Sequence, residues 1–356
     1  MKEIYTKEFR SKYKCECGML IEGFDQIQFI DKTDDVYTLI PYINGDLREF
    51  LAKDEKTKKV YRIKCCAKCK SILPAKVGVV PTFKFAFLGM RGSGKSVYSL
   101  ALEQIMEVIN QSDFAQREKF HLRNIASDTE RNNQRAKMME NFERGILPEP
   151  TAFLEREFHI PFEIHNGCTK TDAILLLYDL AGEISNNTLK TTSNVADADV
   201  LFYMIDGSKL QDKQVLIHNQ ECFRNIVCSL KKRIPIYLIV TKVDMLEGYC
   251  EEGIIVKTAD KELKIDNSLQ RHGGTYIMSH DKGYNEKASR LNSLYAEHLL
   301  ANTSINLYED LGSMMPKELI HTFAVSSYST RGGYFSVELP LMHFLAQKSL
   351  IPYQEV

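Results

Sequence analysis

The stretch Gly89-Met90-Arg91-Gly92-Ser93-Gly94-Lys95-Ser96 constrains this chain more than any other. Before it, Phe83, Phe85 and Phe87 alternate with Lys84, Ala86 and Leu88, the period-two pattern of a strand; after it, Val97, Leu100, Ala101, Ile105, Val108 and Ile109 recur at helical spacing. A strand, a glycine loop and a helix in that order match the pattern GxxxxGK[ST]. Glycines let successive backbone N–H groups and the helix N-terminus point at an anion. The expectation is an α/β fold in which Arg91, Gly92, Ser93, Gly94, Lys95, Ser96 and Val97 surround the phosphates of a nucleotide. Lys95 would reach the β- and γ-phosphates, and the Ser96 hydroxyl would ligate Mg²⁺.

Three later strands end in residues that suit such a ligand. The apolar run at 173–178 stops at Asp179-Leu180-Ala181-Gly182-Glu183, which places Asp179 to hold Mg²⁺ and the Gly182 N–H to sense the γ-phosphate. The run at 235–240 stops at Thr241-Lys242-Val243-Asp244. A carboxylate at Asp244 accepts from both N1–H and the exocyclic amine of guanine, which adenine cannot offer, so GTP and GDP are selected over ATP. Lys242 would lie against the base and brace the phosphate loop. The last strand, 321–325, ends in Ser326-Ser327-Tyr328, whose backbone N–H groups could meet guanine O6.

The segments between these motifs are less specific. Ser127-Asp128-Thr129-Glu130 is a capping box and predicts a helix over about 128–144, ended by Gly145. Phe158, Ile160, Phe162 and Ile164 alternate as a strand, and Pro161 within it argues for an edge position. Asn166-Gly167 is a hairpin turn signal. Between Asp244 and Ser326 the chain runs about 80 residues, too long for an ordinary connection, so an insertion is expected at about 247–290. Within and after it, 253–265 suggests a hairpin, Arg271-His272-Gly273-Gly274 a turn, and Leu291, Leu294, Tyr295, His298 and Leu299 one face of a helix. The insertion is a candidate partner surface or lid. His272 and His280 are not read as a second active site.

Composition sets the remaining limits. The chain has 356 residues, 44% of them hydrophobic, enough for two domains. A net charge of -1 gives no global attraction to nucleic acid or membrane, and no apolar run is long enough to span a bilayer, so a cytoplasmic protein is expected. Five of the nine cysteines precede the glycine loop. Cys15-Glu16-Cys17 and Cys66-Ala67-Lys68-Cys69 together offer four thiolates for a structural zinc ion, with Cys65 competing with Cys66 as ligand. Few strands are expected in residues 1–78, so the metal would supply folding energy to a small zinc ribbon there. Lys53, Lys56, Lys58, Lys59, Arg62, Lys64, Lys68 and Lys70 could form a basic patch on it for a protein partner or a nucleic acid, and 76–81 suggests a linker to a second domain at 80–356.

GMRGSGKS, DLAGE, TKVD and VSSY in this order resemble the Ras-like GTPases of the translation-factor superclass, over residues 80–356. The resemblance implies a P-loop GTPase with a mostly parallel, doubly wound sheet and one antiparallel edge strand, and Mg²⁺-dependent GTP hydrolysis. It also implies Thr151 as the switch threonine that closes on Mg²⁺ and the γ-phosphate, ahead of Thr129, which falls in the capping box. A cysteine ribbon before such a domain more specifically resembles the double-GTPase proteins of bacterial conflict systems. Two positions depart from the family. Glu183 stands where a water-orienting glutamine is usual, and Arg91 stands where Ras has glycine, as an arginine finger in cis or across a dimer, or as a solvent-facing side chain. The expected function is a slow GTPase switch acting on a protein partner through the ribbon or the insertion. The alternatives are a non-hydrolysing GTP-binding assembly module and a GTP-regulated nucleic-acid-binding protein.

Overall fold

The alternating phenylalanines ahead of the glycine loop form strand β1 (Thr82–Gly89), the middle strand of a seven-stranded sheet. The computed structural model describes residues 9–15, 17–30, 36–37, 39, 41–44, 49–54, 56–125, 129–148, 158–179, 195–250, 253–257, 262–266, 269–272, 275–278, 284–327 and 334–354. The other six strands are β2 (Phe120–Asn124), β3 (Phe158–Asn166), β4 (Thr171–Asp179), β5 (Val200–Asp206), β6 (Ile236–Thr241) and β7 (Ile320–Ala324), in the spatial order β2-β3-β4-β1-β5-β6-β7. From β4 to β7 every pairing is parallel, whereas β3 runs against both β4 and β2. Buried on both faces, the parallel strands are apolar almost throughout.

The pleat sends Phe85 and Phe87 to one face, under helices α1 (Lys95–Gln111) and α7 (Leu339–Gln347), where α2 (Asp113–Glu118) and Phe142 of α3 (Thr129–Glu143) also pack. Ala86 and Leu88 face the other side, under α4 (Lys213–Ser229), α5 (Glu286–Ala301) and α6 (Leu307–Gly312). Two helical layers on one mostly parallel sheet make the fold α/β and doubly wound.

The reversed strand is not at the edge, contrary to the expectation from Pro161. β2 pairs outside it, with Asn124 opposite Phe162 as the last pair. The Pro161 carbonyl accepts from Ile125 N–H at 3.0 Å, so its amide nitrogen also faces outward, just past the end of β2. The donor that proline lacks is therefore one the sheet does not use.

Residues before Thr82 form short antiparallel strands: Ile27–Ile30 between Val36–Tyr37 and Ile63–Cys66, and Glu49–Lys53 between Pro41–Asn44 and Val60–Tyr61. Part of their core is shared with the sheet. Tyr13, Ile27, Phe29, Cys66, Leu73, Val77 and Val80 belong to the same apolar cluster as Ala86, Leu88, Leu176 and Tyr178 of the sheet. The expected linker at 76–81 is packed accordingly: Ser11 Oγ donates to Val80 O at 2.6 Å, and Lys76 pairs with Glu163 at 2.5 Å and Asp172 at 3.4 Å. Lys64 leaves the expected basic patch altogether. It is buried, and its ammonium donates to the carbonyls of Ala75 and Val77.

The insertion carries the antiparallel pair Gly253–Lys257 and Glu262–Asp266 and a second hairpin, Leu269–His272 with Thr275–Met278. In α5 the buried face is Ser289, Asn292, Tyr295, Ala296 and Leu300, whereas Leu294, assigned to that face from its spacing, is exposed. The reason is the edge strand beneath. The Asn292 amide both donates to Ala324 O and accepts from Ala324 N–H, at 2.8 Å each, satisfying backbone groups that no further strand pairs with among the described residues.

Candidate functional site

Gly89 ends β1 with φ 140°, and a Cβ there would lie 2.3 Å from the Met204 carbonyl of β5. Only glycine fits that approach. The loop turns through a Ser93 N–H bond to Met90 O at 3.1 Å, and α1 begins after Gly94, at φ 87°. Lys95 is buried, its Nζ donating to the carbonyls of Gly89 and Met90 at 3.0 Å each. Ser93 Oγ is buried with no hydrogen-bond partner among the described residues. Arg91 and Gly92 are exposed, and Ser96 and Val97 are half-buried at the start of α1.

Parallel register brings the other strand ends to the same side. Asp179, the last residue of β4, pairs with Phe87, two residues before Gly89. Thr129 is the first residue of α3. Thr151, Gly182 and Glu183 lie outside the described residues. The hydroxyl of Ser96 and the carboxylate of Asp179 are hard oxygen donors of the kind Mg²⁺ takes.

At the end of β6, Thr241 is buried, and its hydroxyl donates to Ser93 O at 2.8 Å, with Ile205 O at 3.2 Å. The contact expected of Lys242 is thus made by Thr241. Lys242 itself has φ 56° and pairs through Nζ with Asp206 Oδ2 at 2.5 Å. The turn that follows brings Asp244 Oδ1 to 2.5 Å from Ser326 Oγ, which donates to it. Burial pushes the Asp244 carboxyl up, against the Ser326 hydrogen bond that pulls it down. The Ser326 N–H is engaged with Phe335 O at 3.0 Å, so it is not open to a base, whereas Ser327 Oγ is buried with no hydrogen-bond partner among the described residues. Ser93 and Ser327 thus leave buried hydroxyls at the two ends of the site, which fits a polar ligand that spans it.

A second cluster lies before β1. The thiols of Cys15, Cys17, Cys66 and Cys69 all fall within 4.8 Å of one another, with Cys15 to Cys69 at 3.5 Å and Cys17 to Cys66 at 3.7 Å. Four thiolates around one tetrahedral zinc ion would sit roughly 3.8 Å apart, so the set fits such an ion. Cys65 and Cys66 are consecutive in a strand and point to opposite faces, and Cys66 is the one in the thiol set. Burial raises the Cys15 thiol well above the usual range. At Cys69 burial is outweighed by hydrogen bonds with Ser71, Cys15 and Cys17, which bring it down to about 7.

No family model matches the chain, and no curated protein matches it. Among solved structures it is similar to the Arl6 BBS3 small GTPase from Trypanosoma brucei with the bound nucleotide analogue GppNp, at a TM-score of 0.34 and 10% identity over 76% of this chain and 97% of that one. The functional argument therefore rests on this chain's own residues.

Sequence reasoning missed Asp206 and Thr241. Asp206-Gly207-Ser208 after an apolar run is a legible capping signal, because a short carboxylate readily bonds its own backbone two residues on. Thr241 was inside a quoted motif, but its bond to Ser93 spans 148 residues of sequence and has no local signature. Among the described residues, no helix is long and apolar enough to cross a membrane.

Proposed function

We propose that this protein is a Mg²⁺-dependent GTP-binding and GTP-hydrolysing switch with a Ras-like catalytic domain at 80–356 and a structural zinc ribbon at 1–78. One observation carries the reading. The four residues Thr241 to Asp244 join the two ends of one site, Thr241 bonding the phosphate loop at Ser93 and Asp244 held by Ser326, at 2.8 and 2.5 Å. A carboxylate held three residues beyond a threonine that is bonded to the phosphate loop suits guanine.

In this reading the chain's residues divide the work of phosphoryl transfer, which is mostly positioning and charge stabilisation. The N–H groups of 91–97 hold the phosphates, and Lys95 turns from the Gly89 and Met90 carbonyls to the β- and γ-phosphates. Ser96, Asp179 and Thr151 would hold Mg²⁺, which when bound would supply charge neutralisation at the β- and γ-phosphates. Gly182 reports the γ-phosphate, and Glu183 orients the attacking water. Arg91, exposed on the loop, adds charge from this chain or from a second copy in this reading. Cys15, Cys17, Cys66 and Cys69 would hold a zinc ion whose role would be structural. A protein partner reads the switch through the ribbon or the insertion, in the cytoplasm, as the resemblance to bacterial conflict GTPases suggests.

Competition binding with GTP, GDP and ATP tests the base assignment. GTP and GDP should bind without ATP competition, and unchanged guanine affinity in Asp244→Ala would reject it. Single-turnover phosphate release that disappears in Lys95→Ala tests hydrolysis. Glu183 favours a second reading, a non-hydrolysing GTP-binding module, because a carboxylate there repels the γ-phosphate. Phosphate release by the wild type excludes it.

A further inference from the structure

The end of β5 holds a carboxylate that neither the phosphate motif nor the base motif uses. Asp206 lies opposite Thr241 in the β5–β6 register, and both of its oxygens are engaged. Oδ1 accepts from the Ser208 N–H at 3.0 Å and from the Ser208 hydroxyl at 2.6 Å, capping the turn Gly207–Lys209. Oδ2 takes the Lys242 ammonium at 2.5 Å, and the Asp206 side chain is only 14% exposed. A cap needs one oxygen; the second is committed to a residue 36 positions away.

Lys242 is also where the backbone is under strain. Its φ of 56° and ψ of 35° are left-handed, a conformation that costs any residue with a Cβ. That turn redirects the chain after β6 so that Val243 N–H approaches Val325 O at 3.4 Å and Asp244 meets Ser326. An ion pair that pins the Lys242 side chain therefore pins the geometry of Asp244 as well.

We propose that Asp206 is a positioning residue for guanine recognition, fixing the Lys242 ammonium and, through the left-handed turn at Lys242, the aim of the Asp244 carboxylate. This rests on the guanine-nucleotide reading above. Asp206 touches no nucleotide itself. It acts on the base end, which GDP and GTP share, and leaves the γ-phosphate end alone.

The test is a double-mutant cycle on the full chain. GDP and GTP affinities are measured for the wild type, Asp206→Asn, Lys242→Met and the double variant, with thermal melts to confirm folding. Asp206→Asn should weaken GDP and GTP by the same factor, roughly tenfold for a lost charge-assisted bond. In the Lys242→Met background it should cost nothing more. Fully additive losses, or a loss confined to GTP, would overturn the proposal. Ser208→Ala removes only the hydroxyl bond to Asp206 Oδ1, leaving the backbone cap and the Lys242 pair, and serves if Asp206→Asn does not fold: retained affinity supports the Lys242 route, and a matching tenfold loss overturns it. A wild type that binds no guanine nucleotide overturns the proposed function and this inference with it, whereas a wild type that binds while Asp206→Asn is silent overturns only the role of Asp206.

Discussion

Replacing Gly89 by alanine separates two costs that glycine avoids in the phosphate loop. At φ 140° a side chain is strained wherever it points, a cost of roughly 1 to 3 kcal/mol. The added Cβ would also sit 2.3 Å from the Met204 carbonyl and 2.8 Å from Ser93 Oγ. The Ser93 hydroxyl can rotate away, but the carbonyl belongs to the backbone of β5, and the two strands must part to relieve it. Overpacking of this kind adds about 1 to 3 kcal/mol. Gly92 supplies the control: it too has a left-handed φ, 81°, but a Cβ there meets nothing within 4 Å. Urea unfolding followed by far-UV circular dichroism should therefore place Gly89→Ala below Gly92→Ala by about 1 to 3 kcal/mol, with similar denaturant slopes. Nucleotide affinity should fall in both variants, since both reshape the loop. Equal stabilities for the two would refute the packing argument, because strain alone would then account for Gly89.

Because burial holds the Asp244 carboxyl above its ordinary value, GDP binding should weaken on acidification at a higher pH than a free aspartate would give, seen in a pH titration of affinity; the protonated acid cannot accept both guanine N–H groups. Cys66→Ser should lose bound metal, measured by elemental analysis, and melt at a lower temperature, whereas Cys65→Ser should keep the metal. Burial pushes His321 down to about 4, and burial together with His321 pushes His343 down to about 3, from an ordinary 6.5. Between those values and 6.5 the unfolded chain binds more protons than the native one, so stability is full above about pH 6.5 and declines as pH falls toward about 3. His343→Phe should flatten that decline in melting temperature, at the cost of the bond between His343 Nδ1 and Tyr237.

Motifs whose residues are neighbours in sequence were legible. The glycine loop between β1 and α1, the helix ending at Glu143 and the buried strands at 173–178 and 235–240 all follow from local periodicity and capping, which need no knowledge of what packs against them. The misreadings share a different cause. Pro161 suggested an edge because sequence does not reveal that β2 stops at Asn124, just short of the missing donor. Leu294 was assigned inward because apolar spacing could not anticipate that β7 needs the Asn292 amide. Lys64 was assigned to a basic surface, although two carbonyls below it take its charge.

By itself, then, the sequence determined that this chain builds an α/β sheet around a phosphate loop, and which thiols and strand ends could carry ligands. Period and glycine placement act within a few residues and survive any tertiary arrangement. Only the tertiary structure decided that Cys66 rather than Cys65 joins the thiol cluster, that Thr241 rather than Lys242 ties the base-end strand to the phosphate loop, and that Asp206 holds Lys242. Each of those choices is a contact between residues far apart in the chain, fixed by sheet register and by which face of a strand a side chain leaves.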